Sequence, residues 1–309
     1  MELSKLDVTL RRGPDGLHLF ERTTGLNILF DEISPPPTTW SSAPRNVAIA
    51  LTNACDLSCS YCYAEKSIAA LDINEVKGWL RELDSNGCLG IGFGGGEPTL
   101  YRGLPEICRY AAANTRMAVS LTTHGHRLTN ELLDALSGSI HFLRVSVDGV
   151  GNTYERLRGR SFGALRERLL TLRDFVSFGI NYVVNADTFP DLDAEIELAE
   201  EAGATEFLLL PEVRPASLLG GTIPSLAALA SWVDKHRRKI RVSISEYGAR
   251  ELPTCNPLPG DTGLRAYAFV SASGILKRSS FDHKGIQITK DGILVALGQL
   301  NLMGEDRVL

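Results

Sequence analysis

The stretch 51-LTNACDLSCSYCYAEK-66 leaves an apolar β-type run and then sets Cys55, Cys59 and Cys62, three of the chain's six cysteines, within eight positions. A strand that empties straight into a thiol-bearing loop is the arrangement of barrels and open α/β sheets, which place their chemistry on loops at the C-terminal ends of parallel strands. The rest of the chain follows the same rhythm. Further β-type runs read LGIGF (89–93), MAVSLT (117–122), FLRVSV (142–147), INYVVN (180–185) and EFLLL (206–210). Segments with helical periodicity separate them, near 73–86, 103–114, 129–137, 161–178 and 192–202. Asp72, Thr129 and Asp191 stand where N-caps belong, and Gly87, Gly138, Gly179 and Gly203 where helices should stop. Continuous apolar strands joined by helices imply a parallel sheet buried on both faces. Six such units form either a partial barrel or an open doubly wound sheet.

The two ends read differently. Residues 6–31 alternate around GPDG and RTTG, which are turn signals, so a small β-meander precedes the Pro-rich linker SPPPTTW at 34–40. From about 264 onward short β runs, RAYAFV, GILK and GIQIT, return between glycines. The expected organisation is a meander with linker over 1–44, a strand–helix unit over 45–240 and a β-rich cap over 241–309.

Composition narrows the function. With 309 residues and 44% hydrophobic content the chain can bury a large core. A formal net charge of -5 gives no basic footprint for nucleic acid, and the run KHRRKIR at 235–241 reads as a solvated helix end. No signal-peptide pattern opens the sequence and no long apolar run crosses a membrane, so a cytoplasmic protein is expected. In that reducing compartment a cysteine cluster argues for metal or redox chemistry. A disulfide would leave one thiol over, and a structural zinc site would need a fourth ligand that neither a second pair nor a nearby His supplies. Three thiolates suit a 4Fe–4S cluster with one iron left open to a ligand that is not protein.

With Tyr61 before the third cysteine, the loop resembles the C-x-x-x-C-x-aromatic-C signature of the radical S-adenosylmethionine (radical SAM) enzymes. GGGEP, Gly94, Gly95, Gly96, Glu97 and Pro98, follows the second strand and resembles the second motif of that family. The resemblance covers roughly residues 45–215 and implies an α/β fold, a partial (β/α)6 TIM-like barrel with small β additions at both ends. It implies one 4Fe–4S cluster on Cys55, Cys59 and Cys62, with SAM chelating the open iron. The cluster would reduce SAM to a 5'-deoxyadenosyl radical that takes a hydrogen atom from the substrate. Glu97 is then placed to pair with the SAM ammonium group, and the glycines to let backbone approach the methionyl moiety.

Further matches imply further roles. Thr123 and His124 lie in LTTHG (121–125), where His124 stands in place of the family's usual Asn and is a candidate acid or base. RVSVDG (144–149) is similar to the family's Ser-x-Asp-Gly, which puts Ser146 and Asp148 near the SAM ribose or the substrate. Asn185 ends the fifth strand, LLLP (208–211) ends the sixth where family backbone holds adenine, and Tyr61 is placed to stack on that ring. Arg158 resembles an arginine that peptide-modifying members aim at the SAM carboxylate.

Residues 255–281 resemble the start of the SPASM or twitch extension of the peptide-modifying branch. KRSS stands where the next cysteine should be, so a single cluster is expected, with the tail as a β cap over the barrel mouth. Cys88 and Cys108 read as packing residues. Cys255 is either inert or the donor of a hydrogen atom to a substrate radical. The implied partners are a peptide or small-molecule substrate and an electron donor such as flavodoxin or ferredoxin, with no nucleic acid and no membrane. A radical SAM enzyme acting on a small metabolite, and a non-catalytic iron–sulfur scaffold or sensor, are the alternatives.

Overall fold

A computed structural model describes residues 8–65, 67–212, 226–236, 240–245 and 258–303. The chain opens with an antiparallel meander of β1 (Thr9–Gly13), β2 (Gly16–Glu21) and β3 (Leu26–Phe30), a sheet of its own. The strand–helix alternation follows as β4 (Asn46–Thr52), α1 (Ile73–Ser85), β5 (Gly90–Gly95), α2 (Leu104–Asn114), β6 (Ala118–Thr123), α3 (Asn130–Leu136) and β7 (Phe142–Ser146). It continues through α4 (Asn152–Arg158), α5 (Phe162–Leu172), β8 (Phe178–Val184), α6 (Leu192–Ala202), β9 (Glu206–Pro211), α7 (Leu226–His236) and β10 (Arg241–Ile244). The tail contributes β11 (Tyr267–Val270), β12 (Ile275–Lys277), β13 (Ile286–Gln287) and α8 (Ile293–Leu302).

From β4 to β10 every pairing is parallel between sequence neighbours, which is the order of a partial TIM-like barrel. Alternation along β4 shows the two faces. Val47, Ile49 and Leu51 enter the main core beneath the helices, whereas Ala50 joins a separate small cluster with Phe269 and Ala272. Asp72 caps α1 by accepting from the Asn74 and Glu75 N–H groups, and Thr129 caps α3 by accepting from Leu132.

Four expectations give way. Asp191 makes no side-chain cap on α6, because its carboxylate instead accepts from the Val150 N–H. Gly179 lies inside β8 rather than at a helix end, where a Cβ would stand 2.8 Å from the Glu206 carbonyl oxygen of the adjacent strand. β10, in the range assigned to the cap, is a seventh parallel strand of the barrel sheet, beside β9.

The fourth concerns the tail, which is no separate cap: it continues the barrel sheet, and its Lys277 and Phe281 reach the cysteine loop at the mouth. β11 pairs parallel with β4, from Tyr267 opposite Asn46 to Val270 opposite Ile49, and β12 and β13 follow antiparallel. The reason is the open edge that a partial barrel leaves on its first strand, whose N–H and C=O groups need partners.

A buried ion network joins the three segments. The Arg11 guanidinium of β1 donates to both Asp261 oxygens and to the Ala43, Gly87 and Arg265 carbonyls, while Arg45 donates to Asp261. Arg22 docks the other side of the meander by donating to the Ala112 and Thr115 carbonyls. No helix among the described residues is long and apolar enough to cross a membrane.

Candidate cluster and cofactor site

The loop between β4 and α1 is closed at its neck by backbone pairing. The Asn53 N–H donates to Ala69 at 2.9 Å and the Leu71 N–H to Leu51 at 3.0 Å. Within it Cys59 is buried, Cys55 and Cys62 are half-buried, and all three are free thiols. Burial raises the pKa of the Cys55 thiol; the Leu57 N–H donated to its Sγ opposes this, and Glu97, Cys62 and Asp56 add to it. A bound cation reverses that balance, since coordination favours the thiolate. No three His, Cys, Asp or Glu side chains among the described residues converge on a point for a single ion.

GGGEP forms the C-terminal end of β5 and the turn after it. Gly95 has φ +135°, and a Cβ there would lie 2.2 Å from the Thr52 carbonyl oxygen. A Cβ on Gly96 would lie 2.4 Å from the Ala54 carbonyl oxygen. These two glycines therefore let the turn lie against the backbone entering the cysteine loop, and the Gly96 and Glu97 N–H groups donate to Thr52 and Ala54 at 2.7 Å each. Gly94 meets nothing closer than Thr122 at 4.0 Å, which leaves its backbone approachable. Pro98 is buried and opens a 3-10 turn.

Glu97 is almost wholly buried. Its Oε1 accepts from the Thr99 N–H, the Thr99 hydroxyl and the Thr123 hydroxyl, and its Oε2 from the His124 N–H. The carboxylate expected to meet an ammonium group is thus occupied in holding the end of β6.

His124 follows. Its Nδ1 accepts the His126 N–H at 3.1 Å, so Nε2 carries the proton and donates to Asp56 at 2.8 Å. Buried and bonded at both ring nitrogens, His124 ties the end of β6 to the cysteine loop. Asp56 also accepts from Arg160 at 2.9 Å. Burial alone would raise its pKa, but the hydrogen bond from His124 and the charge of Arg160 hold it below the ordinary carboxylate range. His126 donates to or accepts from the Tyr154 hydroxyl at 2.8 Å, and burial, with His124 and Arg160 nearby, pushes its pKa down to about 4.

On the far wall Asp148 is fully buried. Its Oδ2 accepts from the Tyr61 hydroxyl at 2.7 Å and from the Arg158 guanidinium, and its Oδ1 from the Val183 N–H at 2.7 Å. Arg158 lies over the Tyr61 ring at 5.8 Å and reaches Cys59 Sγ at 3.7 Å. Its Nε is buried without a hydrogen-bond partner among the described residues. Burial works against its charge, yet Asp148, Tyr61 and Cys59 together raise its pKa. An orphaned, buried, cationic donor beside a thiol fits an anionic group, so Arg158 and the three thiols fit a cluster with a carboxylate-bearing ligand. Tyr61 is held by its hydroxyl, and Ser146, half-buried, ends β7.

Asn185 is occupied elsewhere. Its Oδ1 accepts from the Asp187 and Thr188 N–H groups and its Nδ2 donates to Glu212. Cys255 lies outside the described residues. Cys88 and Cys108 are buried, each thiol pushed up to about 12 by burial. Asp56 and Arg160 were absent from the sequence reading, and the one signal for Asp56 was its place inside the cysteine spacing.

Residues 49–202 match the Radical SAM superfamily. The sporulation killing factor maturation protein SkfB of Bacillus subtilis is 30% identical over 179 residues, 54% of this chain and 42% of that protein. The Fe-coproporphyrin III synthase of Methanosarcina barkeri is 32% identical over 160 residues, 49% of this chain and 40% of that protein. The matched region thus spans less than half the length of either relative. Among solved structures, Streptococcus suis SuiB bound to the precursor peptide SuiA superposes with a TM-score of 0.73 at 14% identity, over 91% of this chain and 84% of that one.

Proposed function

Since the chain belongs to the Radical SAM superfamily through residues 49–202, whose members use a 4Fe–4S cluster and SAM, we propose that it is a radical SAM enzyme acting on a peptide. Cys55, Cys59 and Cys62 would hold one cluster. When bound, the cluster and SAM supply the 5'-deoxyadenosyl radical that removes a hydrogen atom from substrate. The chain's own part is placement and exclusion of water. Arg158, braced by Asp148 and Tyr61, would hold the SAM carboxylate through its unpartnered Nε. Gly94, half-buried and with no neighbour closer than 4.0 Å to where a Cβ would stand, leaves room for the methionyl part, and Ser146 at the end of β7 lies at the same end of the sheet.

The observation that carries this reading is the buried Arg158 beside Cys59, a cation set against a thiol and short of an acceptor. A peptide substrate is favoured by SkfB, a maturation protein, and by SuiB, solved with its precursor peptide. The Fe-coproporphyrin III synthase keeps a small metabolite as the second reading. A flavodoxin or ferredoxin is the proposed electron donor.

The test is anaerobic reconstitution, reduction with dithionite and addition of SAM, beside a Cys59→Ala control. About four irons per chain and 5'-deoxyadenosine only from the unsubstituted protein are expected. Deuterium passing into 5'-deoxyadenosine from a labelled peptide, and not from tetrapyrrole or nucleotide candidates, would support the peptide; zinc in place of iron would end the reading.

A further inference from the structure

The cysteine loop is clipped from two sides. Asp56 is held by His124 and Arg160, Cys59 by Arg158 and Tyr61 by Asp148, all from the barrel. Beyond Cys62 the clips change sides. Tyr63 packs against Phe281 with ring centroids 5.5 Å apart, and Glu65 accepts from Lys277 Nζ at 3.0 Å, both partners belonging to the tail.

Lys277 is the first residue of the KRSS segment, which stands where the sequence resemblance expects a cysteine. It ends β12, opposite Phe269 of β11, and β11 is paired to β4, the strand that launches the loop. Its side chain is 7% exposed, and Glu65 is its one hydrogen-bonded acceptor among the described residues; Glu65 itself is half exposed. A buried ammonium needs such a partner, so the pair is directional: Lys277 is fixed by the sheet and Glu65 is brought to it. The pair also borders a small cavity lined by Asn53, Tyr63, Gly95, Ser271 and Ser280, so the same chamber has the GGGEP turn on one wall and the tail on another.

We propose that Lys277 is a positioning residue whose pair with Glu65 latches the segment after Cys62 to the tail, so that the tail shapes the cluster site through an ion pair. The proposal rests on reading 55–62 as the cluster loop. Phe281 against Tyr63 is the apolar half of the same latch.

Amide hydrogen exchange of the full chain, before and after cluster reconstitution, tests it with Lys277→Met, Lys277→Arg and the exchanged pair Lys277→Glu with Glu65→Lys. Exchange over residues 59–69 should quicken about tenfold or more in Lys277→Met while α2, α3 and β7 keep their protection. The reconstituted Lys277→Met protein should lose iron to a chelator several-fold faster and show a broadened EPR signal of the reduced cluster. Lys277→Arg should restore both. Partial recovery in the exchanged pair would assign the effect to the pairing rather than to packing. Unchanged exchange over 59–69 in Lys277→Met would overturn the latch, as would loosening spread evenly over the chain with no recovery in the arginine variant. Failure of the unsubstituted chain to bind iron would remove the proposed function, while the exchange data without iron would still decide whether the latch exists.

Discussion

Asp148 has no exposed surface and three donors, from Tyr61, Arg158 and Val183. Removing Arg158 leaves that carboxylate buried without its cation, so Arg158→Met should cost about 3–5 kcal/mol in denaturant unfolding and abolish SAM binding by calorimetry. Asp148→Asn should cost a comparable amount, since its single amide oxygen can serve either the Val183 N–H or the Tyr61 and Arg158 side and leaves the Arg158 cation without its anion. Glu195 on α6 is a separate case. It is fully buried, neither oxygen has a hydrogen-bond partner among the described residues, and burial, with Asp148 and Asp191 nearby, raises its pKa well above the ordinary value. It therefore stays protonated in the fold while the unfolded chain ionises, and stability falls as pH climbs above the unfolded value near 4.5. Glu195→Gln should show no gain at pH 4 and a gain in unfolding free energy that widens toward pH 8, by at most about 1.4 kcal/mol per pH unit, read from denaturant melts. Asp148 stands out in sequence through RVSVDG, but its partners Tyr61 and Arg158 do not follow from that motif, and Glu195 looks like an ordinary helix residue until its surroundings are known.

At the scale of elements, the cysteine loop depends on the turn packed beneath it. Gly96→Ala would put a Cβ 2.4 Å from the Ala54 carbonyl oxygen, so the variant should fold with displaced 53–62 backbone and retain less than about half the iron of the unsubstituted protein on reconstitution. His124→Asn shortens the reach to Asp56, and its expected signature is faster cluster loss to chelator with the melting temperature of the rest of the chain little changed. Strand and helix positions were largely legible, since continuous apolar runs and capped amphipathic segments obey local rules. The miss at Gly179 has a local cause: a glycine reads as a helix stop, but here it makes room for the neighbouring strand. The miss at Asp191 is of another kind, in that its carboxylate found a nearer donor than the one its sequence position suggested.

Across the whole molecule, Asp261 is the point where meander, barrel and tail meet, with Arg11 and Arg45 buried around it. Asp261→Asn leaves two buried guanidinium groups without their shared anion and should lower stability by about 3–5 kcal/mol, seen as a single earlier unfolding transition if the three segments fold as one. The sequence by itself determined the cofactor chemistry and the run of the parallel sheet. Three thiols, GGGEP and a period of strand then helix are local patterns, written in residues close together along the chain. Only the tertiary structure decided that the tail extends the sheet from β4, that Glu97 and Asn185 are engaged with neighbours, and that Arg158 keeps a donor unmatched among the described residues. Those outcomes depend on which polar groups meet when distant segments are buried together, and burial charges a full desolvation cost to any group left without a partner.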